Sequence, residues 1–304
     1  MFNCHYRRAV LIAVSLAGSS LLASAGRAEE PAAAGGTRYG LFGLLDHRST
    51  YGQGWFVEPL RAPEMDVDRE FRVDYFHGEK KGVQTNEVNA ELEYNFNLLT
   101  VEIEAPYSWE REATHDPITG RTEHDTSEDV GNIELAVRHL IFQYVSANKF
   151  FDYTLAAAFE LALPSGSSIS KDTEFVPQLF QLVRLGEHLS IEASVGLSML
   201  AGPEEGGTNT FEYNLVLGYN LEHKDLPIPG VMRTIPIFEL NGERVLSGED
   251  DGTNRLFGTA GLRLNFNSVG PVQPRIGVGY VFPIDSGARD EMRWGIITSF
   301  VLEF

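Results

Sequence analysis

From about Phe71 onward apolar and polar residues alternate strictly, the two-residue period of strands whose two faces meet different surroundings. Between Thr85 and Phe96, the residues Val88, Ala90, Leu92, Tyr94 and Phe96 fall on one face. Glu87, Asn89, Glu91, Glu93 and Asn95 fall on the other. The next stretch sets Leu99, Val101, Ile103, Ala105 and Tyr107 against Thr100, Glu102 and Glu104. Farther on, Leu256, Gly258, Ala260, Leu262, Leu264 and Phe266 alternate with Arg255, Phe257, Thr259, Gly261, Arg263 and Asn265. The pattern predicts about twelve strands, near 68–76, 85–96, 98–109, 129–141, 150–163, 174–185, 188–200, 209–221, 235–246, 254–267, 272–283 and 292–304.

A soluble β-sandwich also alternates. Three features favour a different sheet. The strands run to roughly 10–13 residues, longer than soluble sheets need and suited to a tilted membrane crossing. Aromatics recur near strand ends, as at Phe71, Tyr75, Tyr107, Trp109, Phe150, Phe211, Tyr219, Tyr280 and Trp294, where interfacial girdles would lie. The chain stops on Phe300-Val301-Leu302-Glu303-Phe304. That ending, with Phe300, Leu302 and Phe304 at alternate positions, resembles the assembly signal of bacterial outer-membrane barrels and implies handling by the barrel assembly machinery. The expected fold is all-β, a transmembrane antiparallel up-and-down barrel of about twelve strands embedded in outer-membrane lipid.

With Phe304 on the periplasmic side, the connections at 77–84, 110–128, 164–173, 201–208, 247–253 and 285–291 become outer loops. Those at 97, 146–149, 186–187, 223–234 and 268–271 become periplasmic turns. The start of the chain reads as a secretory signal over residues 1–28: Arg7 and Arg8 precede a short apolar run, and small residues close it at Ala23-Ser24-Ala25 and Gly26-Arg27-Ala28. Residues 29–67 fit no strand pattern and are expected to form a periplasmic extension or a plug, followed by the barrel at 68–304.

Composition narrows the chemistry. The single cysteine, Cys4, leaves with the signal, so a mature chain would hold no disulfide, thiolate nucleophile or thiolate metal site. Removing the signal takes Arg7, Arg8 and Arg27 from the 24 basic residues and none of the 43 acids, moving the formal charge from −19 to −22. Nucleic acid is therefore not an expected partner. If the apolar faces meet lipid, the polar faces line a lumen rich in charge. By parity Glu87, Glu91, Glu93, Glu102, Glu104, Glu134, Arg138, Arg255, Arg263 and Arg293 are the candidate selectivity residues, with Asp74, Glu160, Glu192, Glu212, Glu239, Arg72, Arg184 and Arg244 beside them. The same charges could pair across a narrow interior and hold it shut. Glu91, Glu93, Glu102 and Glu104 form the densest cluster and would disfavour anions.

No catalytic residues are assigned and no cofactor or metal is expected. His115-Asp116, His124-Asp125 and Asp250-Asp251 are the only pairs that suggest water activation, and acidic loops produce such pairs by chance. No strand-borne Ser and His pair suggests a barrel phospholipase.

Two stretches carry a family resemblance. Glu128-Asp129-Val130-Gly131-Asn132-Ile133-Glu134-Leu135 opens a strand, and Leu161-Ala162-Leu163-Pro164-Ser165-Gly166 closes the next. They resemble the Gly-Asp strand opening and the Pro-Ser/Thr-Gly turn of the outer-membrane transporters named for the meta-pathway of phenol degradation, with Asn132 in place of the usual Asp. The resemblance spans about residues 70–304. It implies passive passage of small organic, often aromatic, molecules. The alternative is a closed structural or surface-binding barrel with acidic outer loops, and a barrel hydrolase comes third.

Overall fold

The computed structural model describes residues 57–304 except 66–68, 81, 97–98, 116–121, 147, 149, 166–172, 202–207 and 249. It also describes the two-residue strands Arg38–Tyr39 and Leu44–Leu45, which pair with each other. The expected signal at 1–28 lies outside the described residues.

The wall is built from β1 (Glu70–Lys80), β2 (Val83–Asn95), β3 (Leu99–His115), β4 (Thr122–Val130), β5 (Ile133–Val145), β6 (Phe151–Leu163), β7 (Thr173–Leu185) and β8 (Leu189–Ala201). It continues through β9 (Thr210–Tyr219), β10 (Leu221–Glu222), β11 (Val231–Val245), β12 (Asn254–Phe266), β13 (Gln273–Pro283), a short helix α1 (Ser286–Glu291) and β14 (Trp294–Glu303). Neighbours in sequence are neighbours in the sheet, and every pairing is antiparallel. β4 and β5 share one place against β3, because β4 pairs Val130 with Tyr107 and β5 pairs Glu134 with Glu104. β9 pairs directly with β11, and β10 extends that edge, which leaves twelve wall positions. The ring closes where β1 meets β14, from Glu79 opposite Trp294 to Glu70 opposite Glu303.

This wall is inside out relative to a soluble protein. Leu92 is 46% exposed, while Glu91 and Glu93 on either side are 8% and 0% exposed. Phe71, Ile103, Tyr107, Val137, Phe159, Val195, Phe211, Val278, Tyr280 and Phe300 are likewise outward and exposed. A sheet with an apolar outer face must close if it is to sit in hydrocarbon, because no water is there to satisfy a free edge. The barrel thus meets both demands of a membrane-spanning β-protein: every wall strand is paired on both sides, and the outer surface is apolar.

Several connections differ from expectation. The outer loop foreseen at 77–84 is a tight turn: β1 and β2 pair as far as Lys80 opposite Val83, and Gly82 turns the chain at φ +92°. The loop foreseen at 110–128 is mostly a hairpin, with β3 and β4 paired out to His115 opposite Thr122. Strands that rise above the membrane are wet on both faces, so their apolar alternation fades while pairing continues. The connection expected at 223–234 ends sooner, since β11 begins at Val231, and a register shift between Val231 and Arg233 breaks the alternation there. The segment at 285–291 is helical, capped by the Asp285 carboxylate, which accepts from Ala288 N at 2.9 Å and Leu256 N at 3.1 Å.

The two stretches that carry the family resemblance meet in space. Gly131 sits between β4 and β5, donates to the Pro106 carbonyl at 3.0 Å, and lies where a Cβ would come within 2.7 Å of the Pro106 ring. Ile133, which opens β5, donates its N–H to the Ser165 hydroxyl at 2.7 Å, so the turn residue of one stretch caps the strand start of the other.

Candidate functional site: the lumen and the segment across it

Residues 57–65 lie inside the barrel. Val57 N donates to Ser190 Oγ of β8 at 2.9 Å, and Val57 is 0% exposed. The Glu58 carboxylate is held by Arg263 of β12 and by Arg275 of β13, the latter at 2.6 Å. The Pro59 carbonyl accepts from Arg263 at 2.7 Å and from Arg72 at 3.2 Å. Next, the fully buried Glu239 carboxylate of β11 accepts three consecutive backbone N–H groups, from Leu60, from Arg61 at 3.1 Å and from Ala62 at 3.0 Å. The Arg61 guanidinium stacks over Phe257 of β12, 4.6 Å from the ring centre. Glu64 pairs with Arg72 of β1 at 2.9 Å, and Met65 joins a buried cluster with Leu140, Ala156, Phe180 and Leu182 of β5, β6 and β7. Strands β12 and β13 stand opposite β5 and β6 in the ring, so the segment crosses the lumen from wall to wall.

The local sequence explains why an irregular segment can be buried. A buried backbone must find partners for its polar groups. Pro59 and Pro63 have no N–H to satisfy, Glu239 and Ser190 take those of Val57, Leu60, Arg61 and Ala62, and Arg72 and Arg263 serve the carbonyls. Close approach is made possible by inward-facing glycines. A Cβ on Gly277 would lie 2.4 Å from a Leu60 methyl, one on Gly261 2.3 Å, and one on Gly218 2.5 Å from Val57.

Against this segment lies a cavity of about 410 Å³. Leu60 to Glu64 contribute one side, and the walls come from β1, β2, β3, β5, β6, β7, β9 and β14. Its charged lining comprises the nine carboxylates of Glu64, Asp74, Glu87, Glu91, Glu102, Glu104, Glu134, Glu160 and Glu212 against only three guanidiniums, of Arg61, Arg72 and Arg138. The wall register places like charges face to face: Glu91 opposite Glu104, Glu93 opposite Glu102, and Glu104 opposite Glu134. Arg138 answers part of this by bridging Glu93 and Glu102, and the Asn89 amide donates to Glu104. Gln178 donates to Glu160 at 3.4 Å.

Glu87, Glu91, Glu102, Glu104, Glu134 and Arg138 are therefore brought together around one cavity, and Glu93 is fully buried next to them. Arg263 is also inward and fully buried, but its role is to hold Glu58 and the Pro59 carbonyl. Arg255 is inward at the outer end of β12, where it binds Glu243 at 2.9 Å and Asp250 at 3.0 Å. Arg293 is not in the lumen: its side chain is 77% exposed and lies 3.9 Å from Glu79. It has inward parity, but β14 begins only at Trp294, so it sits on the rim. Phe300 and Phe304 face outward, and Phe304 N donates to the Arg69 carbonyl at 2.8 Å, tying the last residue to the chain just before β1. His115 and His124 lie on the two arms of the β3–β4 hairpin, and Asp116 is outside the described residues.

No protein-family model matches the chain, and no curated protein matches it. Among solved structures the chain is similar to an outer membrane channel from Pseudomonas putida F1, with 14% identity and a TM-score of 0.52 over 82% of this chain and 100% of that one. It also aligns with the NanC porin, at 10% identity and a TM-score of 0.46 over 78% of this chain and 98% of that one. The KdgM porin, solved in complex with disordered oligogalacturonate, aligns at 14% identity and a TM-score of 0.39 over 77% of this chain and 98% of that one. At such identities the likeness is one of fold. A closed antiparallel barrel with an apolar, aromatic-edged outer face resides in the bacterial outer membrane.

Proposed function

We propose that the protein is a passive outer-membrane channel for small organic molecules, aromatic ones among them, in which residues 57–65 act as a plug that narrows the path. The observation that carries this reading is the cavity of about 410 Å³ held between that segment and a wall of nine carboxylates. Its size falls in the range of small-molecule sites, roughly 300–1,000 Å³. Its charge sets the preference: an acidic lumen with low-dielectric walls concentrates cations, admits neutral solutes and repels anions. Selection needs no cofactor and no bond is made or broken. Glu87, Glu91, Glu102, Glu104 and Glu134 would set the field, Arg138 would position Glu93 and Glu102, and Arg72 and Arg263 would hold the plug. The resemblance to transporters named for phenol degradation supports the aromatic solute class, and the outer membrane channel of like fold supports the channel role.

A closed structural barrel is the second reading, favoured by the number of buried ion pairs that fasten residues 57–65 to the wall. Conductance across a planar bilayer separates the two, measured on the full protein and on a form lacking residues 29–67. Brief or small cation-preferring steps in the first and larger steady steps in the second support a plugged channel. Silence from both forms, each shown to be folded, would sink the channel and leave the closed barrel.

A further inference from the structure

We propose that Glu91, Glu102 and Glu104, with the side-chain carbonyl of Asn89, form a binding site for a hard divalent cation of calcium size inside the barrel. The inference stands apart from the channel reading, since a closed barrel could hold the same ion. One carboxylate oxygen from each of the three glutamates lies within 4.8 Å of the other two. Oxygens that share one Ca²⁺ at about 2.3–2.6 Å can be at most about 4.6–5.2 Å apart, whereas Mg²⁺ at about 2.0–2.1 Å would require about 4.2 Å or less. All three pairs therefore fall within the reach of one shared Ca²⁺.

Two further observations point to a ligand. Glu91 is 8% exposed, faces the cavity, and makes no hydrogen bond or ion pair with any described residue. The Asn89 amide donates through Nδ2 to Glu104, while its Oδ1 is buried and receives no hydrogen bond. A buried carbonyl oxygen without a donor is costly in a folded protein, and a carboxylate that meets only the cavity has no protein group to offset its charge. Two of the three cavity guanidiniums are already engaged, Arg138 by Glu93 and Glu102 and Arg72 by Glu64 and Asp74, and the third, Arg61, stacks over Phe257. Arg138 binds Glu102 through Oε2, which leaves Oε1 as that residue's remaining ligand atom. Glu91 and Glu104 are directly opposed across the β2–β3 ladder, an arrangement that like charges disfavour unless something lies between them. An oxygen-only set with three negative charges and one neutral carbonyl is the donor chemistry of Ca²⁺ sites. The rival explanation is protons shared among the carboxyl groups.

The test uses the whole folded protein in detergent, stripped with EDTA and titrated with Ca²⁺ alone at about 0.15 M salt, where loose surface electrostatics are screened. Binding is followed by calorimetry and by the thermal unfolding midpoint. The expected result is saturable binding of one ion with a rise in the midpoint. Glu91→Gln and Glu104→Gln should weaken affinity at least about tenfold by removing ligand charge. Glu91→Gln should also raise the midpoint in EDTA by relieving repulsion, a change that shows the variant is folded. Glu212→Gln, which removes a cavity carboxylate outside the cluster, should bind as the parent does. Absence of saturable binding by the folded parent overturns the site in favour of shared protons. Equal weakening by Glu212→Gln and Glu91→Gln overturns it in favour of a diffuse ion cloud.

Discussion

Glu239→Ala is the sharpest probe of how residues 57–65 are held. The Glu239 carboxylate accepts the N–H groups of Leu60, Arg61 and Ala62, and both Leu60 and Ala62 are buried. Truncation leaves those donors with no partner, and a buried donor stripped of its acceptor costs about 1–3 kcal/mol. Two such groups put the docking penalty at about 2–6 kcal/mol, with the half-buried Arg61 N–H able to turn to water. At about 1.4 kcal/mol per decade, the undocked population should rise by a factor of roughly 30 to 10⁴. The wall should stand, because the β9, β11 and β12 ladders do not pass through this side chain. The assay places a cysteine at Ala62 in a background with Cys4 replaced by Ser, and measures the rate at which a small thiol reagent labels it. Wild-type Ala62 is 5% exposed, so labelling should be slow with Glu239 present and faster by one or more decades without it. Glu239→Gln keeps one acceptor oxygen and should fall between the two. Unchanged labelling in a folded Glu239→Ala barrel would refute the idea that this carboxylate holds the segment.

Three other outcomes follow from the same geometry. Gly277→Ala places a methyl 2.4 Å from Leu60 with no wall atom closer than 3.4 Å, so it should speed Ala62 labelling, and adding Leu60→Ala should reverse the effect. Arg138→Met leaves Glu93 and Glu102 without their shared cation and should lower unfolding stability by about 3–5 kcal/mol in a urea titration. Asp285 lies in a loop: burial acts to raise its carboxyl, but the Ala288 N–H, the Asn254 amide, the Leu256 N–H and Arg289 together hold it below the ordinary carboxylate value. Its contribution should therefore be complete above the ordinary value and vanish as pH falls through the lowered one. The unfolding free energy of Asp285→Ala from urea titration should trail wild type by about 0.5–2 kcal/mol near pH 7, as for a lost helix cap, and converge with it in acid.

Strand number, facing and order were legible because membrane crossing forces a strict two-residue period: one misplaced residue would bury an apolar face or put a charge in lipid. That constraint ends at the water line. It therefore missed how far β1–β2 and β3–β4 extend, and it placed Arg293 one residue too far along an inward parity. Residues 57–65 had no period to read, being an irregular segment whose hydrogen-bond partners outside β1 lie 133 to 217 positions away. A signal did exist on the wall. Gly218, Gly261, Gly277 and Gly279 all fall on the inward parity of their strands, and small residues there mark a place where another part of the chain comes close. The glutamate cluster was visible as parity, whereas its pairing of like with like required the register.

Closure of the ring joins the two ends of the wall. Each wall strand pairs with its sequence neighbour, except at the seam, where Glu70 must find Glu303 across the whole length of the barrel. The crossing segment precedes β1 in the chain, yet its anchors Glu239, Arg263 and Arg275 belong to strands that come late. In the folded barrel the same residues serve as a brace, joining the chain just before β1 to β11, β12 and β13 on the far side of the seam.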